Sequence, residues 1–438
     1  MNIKRILSII LTMILLATIL SGCGSPTSIS GKDGIIGEGK KSPFDSRTEV
    51  GKVYDKADDI GEFDVNGTII EPDNPSKKIE AKAGTLTAGE WKDANDIPFY
   101  LNVLNKNDWF KIMETRNIYS NNIVNVSVKY KDKPCFNTKV ELLDGNNVIY
   151  TGRTDINGTA NLFYNINKNQ NQNPTAVKVG DKEYKLQKSE NEKYYSIAID
   201  AEETGIEVKE LDFMLVIDTT GSMGDELEYL KKELTDIIER VSKEGENLSI
   251  RISVNFYRDE DDEYIVKYFD FRDSVEECVK IISEQSADGG GDFPEAVHTA
   301  LDNAITGHQW RENAIKLCYI VLDAPPHTED ERNGVTKSLV NSISAASEKG
   351  IRIIPIASSG IDTDTEYLLR SFAIMTGGTY TFLTDDSGVG NSHLEPTVGD
   401  YEVEYLNECI IRITSEYCGL TYTPKTEFVK QEQNNQQQ

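Results

Sequence analysis

A chain of 438 residues exceeds what one core fills, since single cores stop growing near about 250–300 residues, so two folded domains with linkers are expected. The composition, 38% hydrophobic and 27% charged, is that of a soluble globular protein once an apolar N-terminal stretch is set aside. A formal net charge of -27 argues against nucleic acid as a partner, because gripping a polyanion needs clustered Lys and Arg. The chain opens with Lys4 and Arg5, then runs apolar over residues 6–20, interrupted only by Ser8, Thr12 and Thr18. That run falls short of the roughly 20 residues a bilayer-spanning helix needs, and a secretory signal fits it better.

The run closes on Leu20, Ser21, Gly22 and Cys23, which resembles the lipobox of bacterial lipoproteins. The resemblance implies a signal peptide over residues 1–22, cleavage before Cys23 and lipid on the Cys23 thiol. The mature chain would then sit lipid-anchored on the extracytoplasmic face of the cell membrane. Two or more acyl chains make a stable anchor, each buried methylene contributing about 0.8 kcal/mol. Residues 23–82 are rich in Gly, Ser, Lys, Asp and Pro with little periodicity, and read as a flexible tether. Residues 83–122 gain Trp91, Phe99, Tyr100, Trp109 and Phe110 and read as a partly ordered segment of no assignable form.

Over residues 123–200 the pattern becomes period two, in Val124, Val126, Val128 and Tyr130, in Val140 and Leu142, and in Ala160, Leu162 and Tyr164. Period two means half-buried strands, and turn signals at residues 144–147 and 155–158 separate them. The stretch from Thr151 to Phe163 resembles a hairpin of small β-sandwiches related to carboxypeptidase regulatory and bacterial Ig-like surface modules. That likeness implies a small all-β sandwich, a fold used most often as a spacer.

The period changes again at Leu211. Residues 211–218 form a continuous apolar run ending in an acid, as a strand buried on both faces does. Leu227, Leu230, Leu234, Ile237, Ile238 and Val241 recur at helical spacing. Further strands are expected over 248–256, 265–271, 315–322, 351–357 and 379–384, with helices over 274–284, 295–305, 335–348, 365–375 and 402–417. Alternation of this kind means an α/β fold with a mostly parallel sheet covered on both faces. The short polar connection over 257–264 suits only a hairpin, so the strand after it runs antiparallel. Residues 421–438, ending in Gln and Asn, read as a disordered tail. The cysteines other than Cys23, namely Cys135, Cys278, Cys318, Cys409 and Cys418, show no Cys-x-x-Cys pair or zinc pattern and read as small buried hydrophobes, their disulfide state left open.

Where the buried strand gives way to the helix, Asp218, Thr219, Thr220 and Ser222 place one carboxylate and three hydroxyls within five positions. Asp218, Thr220 and Ser222 alternate, so they can offer three hard oxygens to a hard cation. The same residues also serve as ordinary helix N-caps. Residues 218–222 resemble the Asp-x-Ser-x-Ser metal motif of von Willebrand factor A domains, with Thr220 in place of the first Ser. The likeness extends to residues 216–225 and 257–259, to the Gly289–Glu295 stretch, and to residues 322–327 and 376–380, as in the hemicentin-like and bacterial surface subgroup. It implies an A domain over residues 205–420, Rossmann-like with one antiparallel edge strand. It also implies a divalent cation, Mg²⁺ before Ca²⁺ or Mn²⁺, held by Asp218, Thr220, Ser222 and Asp323, with Asp292 where the best-known members carry Thr. Topology brings the same three segments to the carboxyl end of the sheet, at the switch point where open α/β sheets place ligands.

Three carboxylates around one divalent ion would over-neutralise it and weaken its pull on an acidic partner side chain. His327 follows two prolines, and with no nucleophile or zinc-protease motif in the chain it reads as a rim or structural residue; no enzyme activity is expected. Glu228 and Lys232 read as a helix-surface pair. The function expected is that of a surface lipoprotein whose cation-dependent A domain binds a protein or matrix ligand. The alternative is an envelope assembly lipoprotein whose ion only steadies the fold. Replacing Cys23 by Ala should move the chain from the detergent phase to the aqueous phase in a partition experiment; unchanged partitioning would rule out the lipid anchor.

Overall fold

The computed structural model describes residues 34–36, 62–63, 68–70, 78–187, 193–245 and 247–428. The expected signal peptide, Cys23, most of the expected tether and residues 429–438 of the expected tail lie outside the described residues.

Residues 211–218 are all buried, and the strand they make, Glu210–Asp218, is central in a nine-stranded mixed sheet. It pairs in parallel with Ser249–Tyr257 on one side and Ile315–Leu322 on the other, and Ile351–Ala357 and Tyr380–Leu383 continue the parallel set. Alternation along the strand sends side chains to two helical layers. Phe213, Leu215 and Ile217 meet helices Leu227–Glu244, Val275–Ser283 and Leu406–Cys418, whereas Met214 and Val216 meet Val297–Thr306, Val335–Lys349 and Thr363–Thr376. The sheet is therefore largely apolar on both faces.

The strand Val266–Tyr268 runs antiparallel to Ser249–Tyr257, as the hairpin reading expects. It is not the edge, which corrects the expectation of a single antiparallel edge strand. Gly34–Ile36, inside the segment expected to be a flexible tether, pairs with it through Gly34↔Tyr268 and Ile36↔Val266. At the opposite end Thr87–Trp91 pairs antiparallel with Tyr380–Leu383, and Glu404–Tyr405 pairs beyond it. An exposed edge presents unpaired N–H and C=O groups, and these segments cover it. Glu62–Phe63, Thr68–Ile70 and Lys78–Glu80 make a separate three-stranded antiparallel sheet, so the tether reading fails for every described piece of residues 34–80.

Residues 83–122 are likewise structured, as a strand and the helices Ile97–Leu104 and Asn107–Arg116. The Glu233 carboxylate accepts the backbone N–H groups of Gly84, Thr85 and Leu86 at 2.8–3.0 Å. Asp93 and Arg370 form a buried two-pronged pair at 2.6 and 2.9 Å, with Glu366 at 3.3 Å from the same guanidinium. The Trp109 and Tyr367 rings meet edge to face at 5.9 Å. A segment with no strong period of its own is thus ordered by what it docks on.

Residues 123–200 form two four-stranded sheets, one built on Ile123–Tyr130 and the other on Lys139–Asp144. Their facing residues, among them Val126, Leu162, Leu142 and Val177, share one core, and the Tyr150 and Phe163 rings cross between them at 5.8 Å. Tyr195–Asp200 lies parallel to Ile123–Tyr130, a pairing that hairpins alone do not make. The unit is docked on the second helical layer instead of standing off as a spacer. Tyr150 donates to the Met375 carbonyl at 3.0 Å, Arg153 to that of Glu348 at 3.1 Å, and Arg352 to that of Arg153 at 2.8 Å. The five cysteines from Cys135 on are all free and buried.

Two predictions follow from this packing. Removing one member of a buried ion pair strands the other, at a cost of about 3–5 kcal/mol, so Asp93→Ala should lower the denaturation midpoint markedly. An unshifted midpoint would mean that residues 87–95 are not part of the folded unit. His308 supplies the pH dependence. Asn255 Oδ1 accepts the Phe269 N–H at 2.8 Å, so its amide nitrogen faces His308 Nε2 at 3.2 Å and can only donate to it. A protonated ring would set two donors against each other, and burial pushes the His308 pKa down to about 4. Because the folded pKa lies below the unfolded value, the His308 contribution to stability is full above about pH 6.5 and is lost toward pH 4, by an amount on the order of 3 kcal/mol. Buried carboxylates with raised pKa values act in the opposite sense, so the His308 contribution is read as a difference: in chemical denaturation across that window, the stability of wild type relative to His308→Gln should fall as the pH drops.

Candidate functional site

The site is built from three loops at the carboxyl end of the parallel strands. The first follows Glu210–Asp218, turning through Thr219 and Thr220 into the 3-10 turn Gly221–Asp225. Asp218 Oδ1 accepts from the Thr220 backbone N–H at 2.9 Å and from its hydroxyl at 2.7 Å, and that hydroxyl lies 3.2 Å from Ser222 Oγ. One carboxylate and two hydroxyls therefore form a single bonded cluster. Asp218 and Thr220 are fully buried and Ser222 is exposed, so the cluster opens to solvent on the Ser222 side.

The second loop leads into helix Val297–Thr306. Gly289 and Gly290 both have positive φ, +80° and +69°, and a Cβ on Gly289 would sit 2.2 Å from the Asp262 carboxylate. That close approach lets Gly289 O accept the Gly221 N–H at 3.1 Å, and Thr219 O the Asp288 N–H at the same distance. Arg258, buried, ties both loops by donating to the carbonyls of Thr219 and Ser286 at 3.1 and 3.0 Å. The third loop follows Ile315–Leu322 and begins with Asp323, 5% exposed.

Asp292 and Glu295 part ways on the second loop. Asp292 is exposed, beside the exposed Phe293. Glu295 is 2% exposed, its N–H bonded to the Pro325 carbonyl at 2.9 Å, and its Oε1 would stand 3.0 Å from a Cβ on Gly290. Sequence reasoning passes over Glu295 because an acid ahead of an apolar helix is the ordinary N-terminal pattern.

Burial first, and the charges of neighbouring carboxylates second, raise the pKa of Asp218 to about 6, of Asp323 to about 8 and of Glu295 to about 10. The hydroxyls of Thr220 and Ser222 work the other way, on Asp218 and Asp323 respectively. Asp218 Oδ2, Glu295 Oε2 and Asp323 Oδ1 are buried and make no hydrogen bond. Among the described residues no three His, Cys, Asp or Glu side chains are grouped tightly enough to hold an ion by themselves. The donor set that converges here is mixed, with hydroxyls between carboxylates, and is chemically suited to a hard cation.

His327 is buried and its Nε2 lies 2.8 Å from Asp259 Oδ1, which raises the His327 pKa and ties the third loop to the hairpin. Glu228 pairs with Lys231 on the helix surface, one position short of the expected Lys232.

Residues 212–384 match the family model of the von Willebrand factor A domain. This part of the chain is an A domain. Its matched extent is shorter than the expected 205–420, and the edge strands and helix Leu406–Cys418 lie outside it. The chain is similar to the alpha-protein kinase vwkA of Dictyostelium discoideum, 28% identical over 158 residues, 36% of this chain and 24% of that protein. It is also similar to the ariadne-like RING finger protein R811 of Acanthamoeba polyphaga mimivirus, 33% identical over 117 residues, 27% of this chain and 11% of that protein. The match thus covers no more than about a quarter of either relative's length. Among solved structures, BatB from Bacteroides thetaiotaomicron aligns at TM-score 0.33 and 13% identity, over 48% of this chain and 99% of that one. Proximal thread matrix protein 1 of the mussel byssus aligns at TM-score 0.30 and 16% identity, over 38% and 40%.

Proposed function

We propose that the A domain binds a divalent cation, Mg²⁺ first, at the carboxyl end of its sheet, and that the end so organised binds a protein or matrix ligand. Asp218, Thr220, Ser222 and Asp323 would hold the ion, which would supply a fixed positive charge. In this reading Cys23 carries lipid, the chain faces away from the cytoplasm, and it performs no catalysis. The observation that supports the reading is the set of buried carboxylate oxygens without hydrogen bonds, beside a hydroxyl cluster that opens at Ser222. A-domain membership of residues 212–384 supports the binding role, since such domains commonly mediate protein–protein contact.

The second reading is an assembly lipoprotein of the envelope in which the ion only steadies the loops. It is favoured by the near-complete burial of Asp218, Thr220 and Asp323. An ion that binds only the folded state stabilises it by about 2.7 kcal/mol at a hundredfold excess over Kd. Melting of the wild type should therefore rise with Mg²⁺ or Ca²⁺ over chelator, and Asp218→Ala and Asp323→Ala should erase the rise. Coincident wild-type curves in all three conditions would refute cation binding. Ligand capture that survives chelator would favour the second reading.

A further inference from the structure

We infer that residues 390–393 form a proton-operated strap, held over the turn that follows Ser222 by a charged His393 ring that bridges Glu226 and Asp385. None of these three is a proposed ligand of the ion, and the strap works without it. His393 Nδ1 lies 2.7 Å from Asp385 Oδ1 and Nε2 lies 3.1 Å from Glu226 Oε1, with the ring's side chain 5% exposed. A carboxylate only accepts, so both contacts are hydrogen bonds only when both ring nitrogens carry protons. A neutral ring sets a lone pair against one of the two carboxylates and loses that bond.

The strap is bonded to the same turn at each step before the ring. Asp225 Oδ2 accepts the Asn391 N–H at 3.1 Å and its side-chain amide at 2.7 Å. Gly390, at φ +83°, presses so close to Glu226 that a Cβ there would stand 2.2 Å from Oε1. Apolar packing fixes the ends, for Val389 is buried against one helical layer and Leu394 packs against the other. The residues between these anchors can therefore lift while the rest of the loop stays in place.

The charges facing the ring come from two sides, Glu226 at the start of helix Leu227–Glu244 and Asp385 on the strap's own loop. The Ser359 N–H, beyond strand Ile351–Ala357, donates to Glu226 Oε1 at 3.2 Å and helps keep that carboxylate in position. Burial lowers the His393 pKa, but the two carboxylates outweigh it and the net shift is upward. Burial likewise acts against the Asp385 charge, yet its bonds from His393 bring its pKa below the usual value, so it stays ionised where the ring titrates. The closed strap is therefore favoured fully below about pH 6.5, and its opening constant rises by up to about tenfold per pH unit as the pH climbs through the closed-state pKa. Opening uncaps Asp225 and Glu226, whose charges reach Asp323, beside the exposed Ser222. The carboxyl end of the sheet thus becomes more negative in its outer part as the proton leaves.

Hydrogen exchange of the full chain in chelator, from about pH 6 to about pH 9 and corrected for the intrinsic rate, reads the strap directly. Protection of residues 390–393 in wild type should fall about fivefold or more beyond any change in strand Ile315–Leu322. His393→Gln cannot take up the proton, so its strap should be less protected at the acid end and show no such fall. Constant protection of the wild-type strap overturns the inference, as does an equal fall in His393→Gln. If that variant does not fold, Asp385→Asn decides, at a side chain 67% exposed. It removes one of the two charges that hold the proton, so the fall should shrink, and an undiminished fall overturns the inference.

Discussion

Asp218, Glu295 and Asp323 are buried at the carboxyl end of a parallel sheet, and the charges that raise their pKa values are those of other carboxylates. Everything around them follows from keeping that arrangement in place. A sheet buried on both faces takes a polar group along its strands only where a partner meets it, as His308 meets Asn255, and the acids of the cluster gather where the strands end. The loops that carry them are bonded to one another by backbone N–H and carbonyl groups, with Gly289 and Gly290 permitting the approach. Hydrogen bonds satisfy one oxygen of Asp218 through Thr220, and leave the inward-facing ones open. On the proposed reading a divalent ion converts this mutual repulsion into attraction, so the site and the stability of its loops are linked through one species.

The A domain does not stand alone in this chain. Gly34–Ile36 on one side of its sheet and Thr87–Trp91 on the other come from residues before it, Glu404–Tyr405 from residues after it, and the buried cation of Arg370 inside it is met by Asp93 outside it. Glu233, buried on helix Leu227–Glu244, is likewise completed by three N–H groups from residues 84–86. These are obligate partnerships, since an unpaired edge invites association and an unpaired buried charge is strongly destabilising. The two small sheets of residues 123–200 add to the second helical layer through a shared core, so the N-terminal half acts as a jacket on the A domain.

Periodicity is enough to find the C-terminal elements. Residues 211–218 have no polar face, which only a central strand tolerates, and the apolar spacing over 227–241 has one periodic solution. The hairpin over 257–264 is legible because a short polar link cannot carry a crossover. Edge pairing leaves no such trace. Gly34–Ile36 is three residues long, and Thr87 meets Thr384 across 297 positions, so the information lies in the partner's unpaired edge and not in the segment. At the site, the cluster of Asp218, Thr220 and Ser222 is legible because its bonds span two positions. Asp323 is legible as the residue after a buried strand. Glu295 is hidden, because only burial distinguishes it from Asp292, and burial is set by Pro325 and Gly290 far from it in the chain or behind it on the loop.

The loop that links these parts is the one after Asp323. Its Pro325 carbonyl holds the Glu295 N–H, its His327 ring is bonded to Asp259 on the hairpin, and Arg116 donates to the carbonyls of Pro326 and His327 at 2.8 and 3.1 Å. Arg116 belongs to the N-terminal half and is itself anchored on Asp364 at 2.9 and 3.0 Å. The loop is therefore pinned from the sheet, the hairpin and the jacket at once, and its backbone has little freedom left to rearrange. A site whose backbone is held this way loses little conformational entropy when it takes a ligand. What remains adjustable is the short reach of the carboxylate side chains, which suits a small ion. A bulkier ligand would have to be read at the exposed rim, where Asp292 and Phe293 face solvent.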